Sequence, residues 1–476
     1  MRLAGLLLVL IPGYLSVPSP VYSNFHITLG DYFSDPLSPV MYRVGFMVNN
    51  PPEKIEASLK IEYNDPAKAQ TISNVYCRPY EYHGFEPWTD NKKICDYVRT
   101  FCFFDLVNLA DNEKFSYSLI VDGKVNNGPF AFRSKIMSRE TPKIIVFGDH
   151  DSSPAGMPLI ESLKAFDFDL IVFVGDLAYE IWENNGLNGD QYFKDMEPVI
   201  ATVPYIVIPG NHENIDNSLM LTTRLRMPGT ITSMDNNLFA FKLRNMLFVG
   251  FNFDTVLYFF PGKLFYYLKE LDKIFAKYTA DKSVRWINFF THRPLYCTQY
   301  NVQGNQCSQT IYYLKPFEDL LTKYGVHFYL AGHIHDYERY EPMLGFKILD
   351  SKAPTTFVLG TGGNKEFFGP NEPYYIKFRK SLLEATPGFA VVEATETSLK
   401  STFIMSSQNF KPFDSVTITA GSPDHRANPF VIISLVILLA AVIGFAIFFL
   451  NRKRMLKSRM DTEDLEGKYT SLSLYA

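Results

Sequence analysis

Apolar runs of strand length recur after Thr141, and each of them ends abruptly in glycine, asparagine, aspartate or histidine. The clearest examples are KIIVFGDH, FDLIVFVGDLAYE, VPYIVIPGNHE, NMLFVGFNFD, VRWINFFTHRP and VHFYLAGHIH. Helix-like stretches lie between some of them, including GKLFYYLKELDKIFAKY at 262–278 and LKPFEDLLTKYG at 314–325. Strands that are apolar on both faces and alternate with helices indicate sheets covered by other layers. This part of the chain is therefore predicted to be an α/β domain.

The preceding part of the chain has a different pattern. FHITLG, VMYRVGFMV, ASLKIEY and KFSYSLIVDG alternate in polarity or are rich in β-branched and aromatic residues, and polar turns separate them. Short strands at this spacing predict a small β-sandwich of immunoglobulin or fibronectin type over residues 23–136. This region contains no cluster of candidate ligands, so a supporting role is favoured for it.

Both ends of the chain carry apolar segments. MRLAGLLLVLIPGYL has one basic residue before a short apolar run, which predicts a signal peptide over residues 1–22; the alternative is an N-terminal strand. FVIISLVILLAAVIGFAIFFL, at 430–450, contains no charge and is long enough to cross a hydrocarbon layer of about 30 Å as a helix. Basic residues follow it directly, which predicts a cytosolic tail over residues 451–476. We therefore expect a single-pass type I membrane protein, with a linker at 411–429 before the span.

Chain length, net charge and the tail sequence indicate the number of domains, the class of partner and the location of the protein. A chain of 476 residues is longer than one hydrophobic core usually serves, which predicts at least two domains. The formal net charge is −4 and the main body has no long basic run, which argues against nucleic acid as a partner. YTSL at 469–472 is similar to tyrosine-based sorting signals read by endocytic adaptors, and an uncommitted tail is the alternative. The expected location is the cell surface or an endosomal or lysosomal membrane.

The five cysteines would lie in an oxidising compartment on this topology. Cys297 and Cys307 flank a polar loop and are suited to close it with a disulfide bond. Cys77, Cys95 and Cys102 allow one further bridge, with the connectivity open. The chain has no Asn-x-Ser/Thr acceptor, so N-glycans are not expected.

Candidate metal ligands follow five of the apolar runs. Side chains at the carboxyl ends of strands in α/β sheets converge in space, although they lie far apart in the sequence. Carboxylate, amide oxygen and imidazole together suit hard or borderline first-row metals. There are more donors than one tetrahedral ion needs, which favours two ions that share a carboxylate. The candidates are Asp149, Asp176, Asn211, His212, His292, His333 and His335.

GDH, GDLAY, GNHE, THRP and GHIH, in this order, resemble the motifs of the calcineurin-like metallophosphoesterases and, more narrowly, of the purple acid phosphatases. The narrower resemblance rests on Tyr179, three residues after Asp176. The wider superfamily typically begins with Asp-x-His, whereas here Asp149 is followed by His150 and Asp151. The resemblance implies a four-layer αββα sandwich over residues 141–410, preceded by a fibronectin type III-like module.

The resemblance also implies an activity and a ligand set. A ferric ion would be held by Asp149, Asp176, Tyr179 and His335. A divalent ion (zinc, iron or manganese) would be held by Asp176, Asn211, His292 and His333, so that Asp176 bridges the two ions. His212 would face the substrate phosphate and stabilise or protonate the leaving oxygen. The implied enzyme is an acid phosphatase that acts on phosphorylated small molecules or phosphoproteins.

Some features leave alternatives open. Plant members of the family carry a pair of histidines beyond the His292 motif, where this chain has Asn301 and Val302 in YNVQGNQC. His150 either substitutes as a substrate contact or turns away into its loop. The same scaffold suits a phosphodiesterase or nucleotide pyrophosphatase. A receptor or adhesion protein with a catalytically dead phosphatase domain is the alternative from a different functional class.

Overall fold

The strand pattern of the first part of the chain forms two antiparallel sheets. Their orders are β1-β2-β6-β5 and β4-β3-β7-β8. The strands are β1 Val21–Leu29, β2 Val40–Asn49, β3 Ala57–Tyr63, β4 Gln70–Ile72, β5 Val75–Phe85, β6 Ile94–Val107, β7 Phe115–Val121 and β8 Lys124–Ala131. The sheets pack against each other through aromatic side chains, such as Phe25 and Phe130, whose ring centroids are 5.0 Å apart. The sequence pattern predicted the segments of β1, β2, β3 and β7 but not the long β5–β6 pair.

The computed structural model of the chain describes residues 19–30, 40–85, 94–107, 109, 114–136, 138–151, 154, 156–228, 237–254, 263–298, 306–345, 347–349, 353–364, 379–384, 386–406 and 409–420. These residues belong to the first of two units into which the chain divides, Met1–Asp424 and His425–Ala476. No helix of this described part is long and apolar enough to span a bilayer. The predicted span at 430–450, the tail with Tyr469, and most of the predicted signal peptide lie outside it.

The apolar runs after residue 141 form two central sheets, as predicted. The first has the order β11-β10-β9-β21-β22-β23 and the second the order β12-β13-β14-β15-β19-β16-β20, while β17 and β18 form a separate hairpin. Strands β9 to β11 are mutually parallel, and so are β13, β14, β15 and β19. The strands are β9 Ile144–Phe147, β10 Leu170–Phe173, β11 Tyr205–Val207, β12 Leu238–Leu243, β13 Met246–Phe251, β14 Trp286–Phe290, β15 Phe328–Ala331, β16 Asp336–Tyr340, β17 Met343–Leu344, β18 Lys347–Ile348, β19 Thr355–Leu359, β20 Arg379–Glu384, β21 Gly388–Ala394, β22 Ser398–Met405 and β23 Lys411–Thr419.

Both faces of the second central sheet are covered. Successive side chains of a strand point to opposite faces. In β14, Ile287 and Phe289 pack in a core with two helices, whereas Trp286 and Phe290 belong to the core shared with the first sheet. The helices of the domain are α1 Met157–Ala165, α2 Glu183–Ile200, α3 Leu219–Thr222, α4 Leu264–Thr279 and α5 Gln306–Lys323. Burial on both faces explains why these strands are continuously apolar.

Three helices, α1, α2 and the single-turn α3, were not predicted from the sequence. Helix α1 is short, and α2 begins irregularly, because Asn184, Asn185 and Gly186 all have positive φ values. Helix α2 also contains Pro198. Gly, Asn and Pro are helix-breaking signals in a local pattern, so packing between the N-terminal strands and the first central sheet has to stabilise this helix.

One predicted boundary is wrong. The predicted linker at 411–429 begins too early, because β23 (Lys411–Thr419) pairs along β22 at the edge of the first central sheet. The Asp414 carboxylate of β23 accepts hydrogen bonds from Arg339 at 2.6 and 3.0 Å. An exposed edge strand that contains Pro412 resembles a linker in composition. At the other end, β1 begins at Val21, within the range predicted for the signal peptide.

One disulfide bond joins neighbouring strands of the N-terminal region. Cys77 and Cys102 form this bond between β5 and β6. The buried Cys95 keeps its thiol, and its Sγ lies 3.4 Å from the Trp182 carbonyl oxygen. Cys297 is also disulfide-bonded, while the side chain of Cys307, its expected partner, lies outside the described part of the chain.

A buried histidine makes stability depend on pH. Burial lowers the pKa of His26 to about 4; a hydrogen bond with the Asn24 carbonyl opposes this shift and Arg224 adds to it. Between the unfolded pKa of 6.5 and a folded pKa of about 4, the unfolded chain binds more protons. Stability should therefore be fully present above pH 6.5 and fall as the pH drops towards 4. We expect this residue to contribute a loss of roughly 2.5 kcal/mol between pH 7.5 and 4.5.

Thermal unfolding midpoints of the protein and of His26→Gln, measured across this pH range, test this expectation. The glutamine variant should be less stable at neutral pH and show a shallower dependence on pH. Parallel curves for the two proteins would contradict it.

Candidate active site

Five strand ends bring the predicted ligands together between the two central sheets. Asp149 follows β9, Asp176 follows β10 and Asn211 follows β11 in the first sheet. His292 follows β14 and the pair His333 and His335 follows β15 in the second. Parallel strands end at the same edge of a sheet, so these side chains meet at one place.

Tyr179, Asp149 and His335 form the first of two clusters. The Tyr179 hydroxyl lies 3.0 Å from Asp149 Oδ1 and 2.6 Å from His335 Nε2. His335 Nε2 lies 3.4 Å from Asp149 Oδ1. A phenol, a carboxylate and an imidazole nitrogen therefore converge on one point, and Asp149 is completely buried there.

Asp176, Asn211, His292 and His333 form the second cluster. His292 Nε2 lies 3.0 Å from Asp176 Oδ2 and 3.1 Å from Asn211 Oδ1. Ligand atoms of Asp176, His292 and His333 all lie within 4.8 Å of one another. The other ring nitrogen of His292, Nδ1, lies 2.8 Å from the Val174 carbonyl oxygen. That contact assigns the proton to Nδ1 and leaves Nε2 as the ligand atom.

The two clusters adjoin each other. The backbone N–H of His333 donates to the Asp149 carboxylate at 2.9 and 3.1 Å, which ties a residue of the second cluster to one of the first. All seven residues predicted as metal ligands are thus brought into one site.

The backbone of this site is in a conformation that few residues adopt. Asp149, Asp176 and His333 have φ values of 59°, 56° and 73°. Non-glycine residues in the left-handed region carry a cost of order 1 kcal/mol or more, and they concentrate at functional sites. Two glycines provide the necessary space. A Cβ at Gly175, where φ is 92°, would lie 2.7 Å from His292 Nδ1, and one at Gly210 would lie 2.2 Å from Asp176 Oδ1.

Glu213, the acidic residue of GNHE, supports the site from behind and was not predicted. Its buried carboxylate accepts hydrogen bonds from the backbone N–H groups of Asp176 at 2.9 Å, Leu177 at 2.7 Å and Gly210 at 2.9 Å. Burial, followed by the Asp176 charge, raises the pKa of Glu213 to about 7. Its place in the GNHE motif was the available signal, but only the fold shows that it clamps two strand-end loops together.

His212, predicted to face the substrate, is held by a second residue that sequence reasoning missed. The Glu180 carboxylate lies 2.7 and 2.9 Å from His212 Nδ1. The ring of His212 packs on that of Tyr179 with centroids 4.3 Å apart, and its Nε2 lies 3.8 Å from Asp176 Oδ2. Glu180 thus fixes the proton on Nδ1 and turns Nε2 towards the second cluster.

Strong electrostatic coupling marks the site. Burial opposes protonation of His292, but the Asp176 carboxylate outweighs it and raises the pKa of His292 to about 9. Burial also opposes protonation of His212, but the Asp176 and Glu180 carboxylates outweigh it and raise the pKa of His212 to about 10. Burial, followed by Asp149, raises the pKa of the Tyr179 phenol well above its usual range. Without a cation, this phenol stays protonated, so a phenolate ligand requires a strongly charged ion beside it.

His150 does not reach the substrate side. It is buried, and its ring packs edge-on against that of Tyr192 at a centroid distance of 5.5 Å. The structure therefore favours the alternative in which His150 turns away from the site. The segment with Asn301 and Val302 lies outside the described residues.

The donor set fits two metal ions. Among the residues described, the buried site offers carboxylates, imidazoles, an amide oxygen and a phenol, and no thiolate. Hard or borderline cations prefer these ligands, and the two neighbouring clusters each provide at least three of them. A trivalent ion is the natural partner of the cluster with the phenol, and a divalent ion suits the imidazole-rich cluster.

Comparison with known proteins agrees with this geometry. The calcineurin-like phosphoesterase family profile matches residues 142–337. The chain is 28% identical over 262 residues to acid phosphatase type 7 of Danio rerio, covering 48% of this chain and 56% of that protein. It is 27% identical over 264 residues to acid phosphatase type 7 of Homo sapiens, covering 51% of this chain and 59% of that protein. The chain thus spans little more than half the length of these relatives.

The fold has a counterpart among solved structures. A purple acid phosphatase from yellow lupin (Lupinus luteus) seeds superposes with a TM-score of 0.64 at 18% identity, covering 87% of this chain and 76% of that one. Similarity at this identity concerns the fold alone. The family match shows that the chain carries a calcineurin-like phosphoesterase domain at residues 142–337, and the superposition shows that it shares the fold of a purple acid phosphatase.

Proposed function

We propose that this protein hydrolyses phosphoric monoesters at a dinuclear metal centre. The observation that carries the proposal is the contact of Tyr179 with Asp149 and His335, directly beside the imidazole-rich cluster around Asp176. The acid phosphatases among its relatives support the same activity. A catalytically dead scaffold is disfavoured, because no expected ligand position has been lost.

The candidate ligands divide into two sets, one for each ion. Tyr179, Asp149 and His335 would hold ferric iron, while Asn211, His292 and His333 would hold a divalent ion such as zinc, iron or manganese, with Asp176 shared between them. When bound, the metals would neutralise the phosphate and lower the pKa of a water molecule, so that a nucleophile is available at acidic or neutral pH.

Other residues of the site would orient the substrate and move protons. The Nε2 atom of His212 points towards the centre, because Glu180 contacts Nδ1 and the backbone N–H of His212 donates to Asp176 Oδ1 at 2.9 Å. A protonated Nε2 at this position is placed to stabilise the charge on the leaving oxygen or to donate a proton to it. Glu213 keeps the Asp176 loop in place while charge develops.

The position in the cell and the accessory region belong to the same proposal. The charge-free segment 430–450 with basic residues after it supports a type I membrane anchor and a luminal or extracellular active site. Release of the protein from membranes by alkaline carbonate would contradict the anchor. The two four-stranded sheets support a fibronectin type III-like module packed beside a four-layer αββα domain.

Visible absorption tests the centre, and a phosphomonoester tests the activity. Protein loaded with iron and zinc should be purple, from charge transfer between Tyr179 and ferric iron, and should hydrolyse 4-nitrophenyl phosphate. Tyr179→Phe should lose the band. Tyr266→Phe, which changes an exposed tyrosine, should keep both properties. Iron-loaded protein that is colourless and inactive towards the ester would overturn the proposal.

A further inference from the structure

Arg293, the arginine of THRP, lies directly beside the candidate metal centre although no ligand role is assigned to it. Its side chain is 7% exposed. Its Nε and Nη2 donate to Asp254 Oδ1 at 2.8 and 2.7 Å, and its Nη1 lies 2.5 Å from His333 Nε2. Tyr329 fixes the main chain at this point, because its hydroxyl donates to the Arg293 carbonyl oxygen at 2.6 Å.

Metal binding by His333 is incompatible with its contact to Arg293. A guanidinium group only donates hydrogen bonds, so His333 Nε2 has to accept here and the imidazole proton sits on Nδ1. A metal ion on Nε2 would take the place of this contact. A metal ion on Nδ1 would move the proton to Nε2, and two donors would then face each other. Whichever ring nitrogen of His333 binds the metal ion, its hydrogen bond with Arg293 is therefore lost.

Asp254 keeps the arginine in place after this change. Its carboxylate is fully buried, and Oδ1 accepts from one edge of the planar guanidinium. Oδ2 has no hydrogen-bond partner among the residues described, so the hydrogen bonds from Arg293 to Oδ1 are the ones described for this carboxylate. An uncompensated buried carboxylate is costly, so the Nε–Nη2 edge stays with Asp254. The rigid fork then keeps Nη1 directed at the edge of the centre.

We propose that Arg293 binds a phosphoryl oxygen of the substrate and thereby favours phosphomonoesters over phosphodiesters. The inference rests on the proposed phosphatase function. A phosphoryl oxygen is the acceptor that a guanidinium N–H matches, and the fixed cation adds to the charge of the two metal ions. A monoester carries close to two negative charges at neutral pH, whereas a diester carries one. The additional cation therefore acts more strongly on the monoester.

The test compares Arg293→Met and Arg293→Lys with a matched control. Arg285→Met removes the same charge from an exposed site before β14, where the arginine pairs with exposed Glu396. Metal-loaded proteins are assayed for metal content, for equilibrium binding of inorganic phosphate, and for kcat/KM on 4-nitrophenyl phosphate and bis(4-nitrophenyl) phosphate. The double variant Arg293→Met/Asp254→Asn replaces Arg293→Met if the buried carboxylate prevents folding.

Arg293→Met should retain its metals and bind phosphate about 10- to 100-fold more weakly, as expected for loss of a charge-assisted hydrogen bond. Its preference for the monoester over the diester should fall, Arg293→Lys should be intermediate, and Arg285→Met should match the parent protein.

Three results would overturn the inference: loss of metal with unchanged phosphate affinity of the loaded sites, no change in any quantity, or an equal loss on both esters. The first would mean that Arg293 only orients His333. If the parent protein hydrolyses neither ester, the proposed function fails, while phosphate binding still decides the role of Arg293.

Discussion

Asp176→Ala is expected to lower kcat on a phosphomonoester by about three orders of magnitude. The reason is that loss of the metals would remove several kcal/mol of transition-state stabilisation, and each ~1.4 kcal/mol corresponds to a factor of ten in rate. Asp176 is 1% exposed and lies at the middle of the site. Its Oδ2 is 3.0 Å from His292 Nε2, and its Oδ1 accepts from the His212 backbone N–H.

Steady-state kinetics and metal content of the same samples decide this prediction. Asp195→Asn removes the charge of a partly exposed carboxylate on α2 and should leave both quantities unchanged. Circular dichroism establishes that the alanine variant is folded. A folded Asp176→Ala protein that keeps two metal ions and most of its activity would show that Asp176 does not bridge them.

Arg224→Met is expected to destabilise the protein by about 3 kcal/mol, because it leaves a buried carboxylate with fewer partners. Arg224 is 1% exposed, and its Nη2 donates to Asp190 Oδ1 at 2.7 Å and to the Tyr97 hydroxyl at 2.5 Å. The guanidinium also stacks between Phe101 and Phe193, at 4.9 and 4.7 Å from the ring centroids. These contacts join β6 of the N-terminal region to helix α2 and the loop after α3. Arg99 still pairs with Asp190, which keeps the loss near the lower end of the range for buried pairs.

The midpoint of thermal unfolding should fall by at least about 5 °C. Arg285→Met, at an exposed ion pair, should change it little. Arg224→Met combined with Asp190→Asn should recover part of the loss, because the second change removes the buried charge. Equal midpoints for Arg224→Met and the parent protein would show that the buried pair does not hold the N-terminal strands to the α/β domain.

Six of the seven candidate ligands could be predicted from the sequence because each of the six lies just beyond a continuous apolar run. KIIVFGDH places Asp149 just after β9, and VRWINFFTHRP places His292 just after β14. Tyr179 has no such local signal; its assignment came from the resemblance of GDLAY to a family motif. In the structure it contacts Asp149 and His335, residues that are 30 and 156 positions away.

Local sequence patterns did not identify the residues that support the site. Glu180, Glu213 and Asp254 are ordinary acidic residues in the sequence, and their importance comes from what lies opposite them in space. Helix α2 and strand β23 were missed for a related reason. Their local composition favours a loop or a linker, and tertiary packing overrides it.

The sequence by itself determined the α/β class of the second part and the β-rich first part, and it predicted which residues are candidate ligands. These features depend on periodicity and on motif order, both of which are local. Only the tertiary structure decided that the ligands separate into two adjoining clusters, that Glu180 turns His212 towards the centre, and that Asp254 holds Arg293 beside His333. Such contacts join residues up to 184 positions apart, as between Asp149 and His333. Their geometry follows from how the two central sheets pack, which no local pattern specifies.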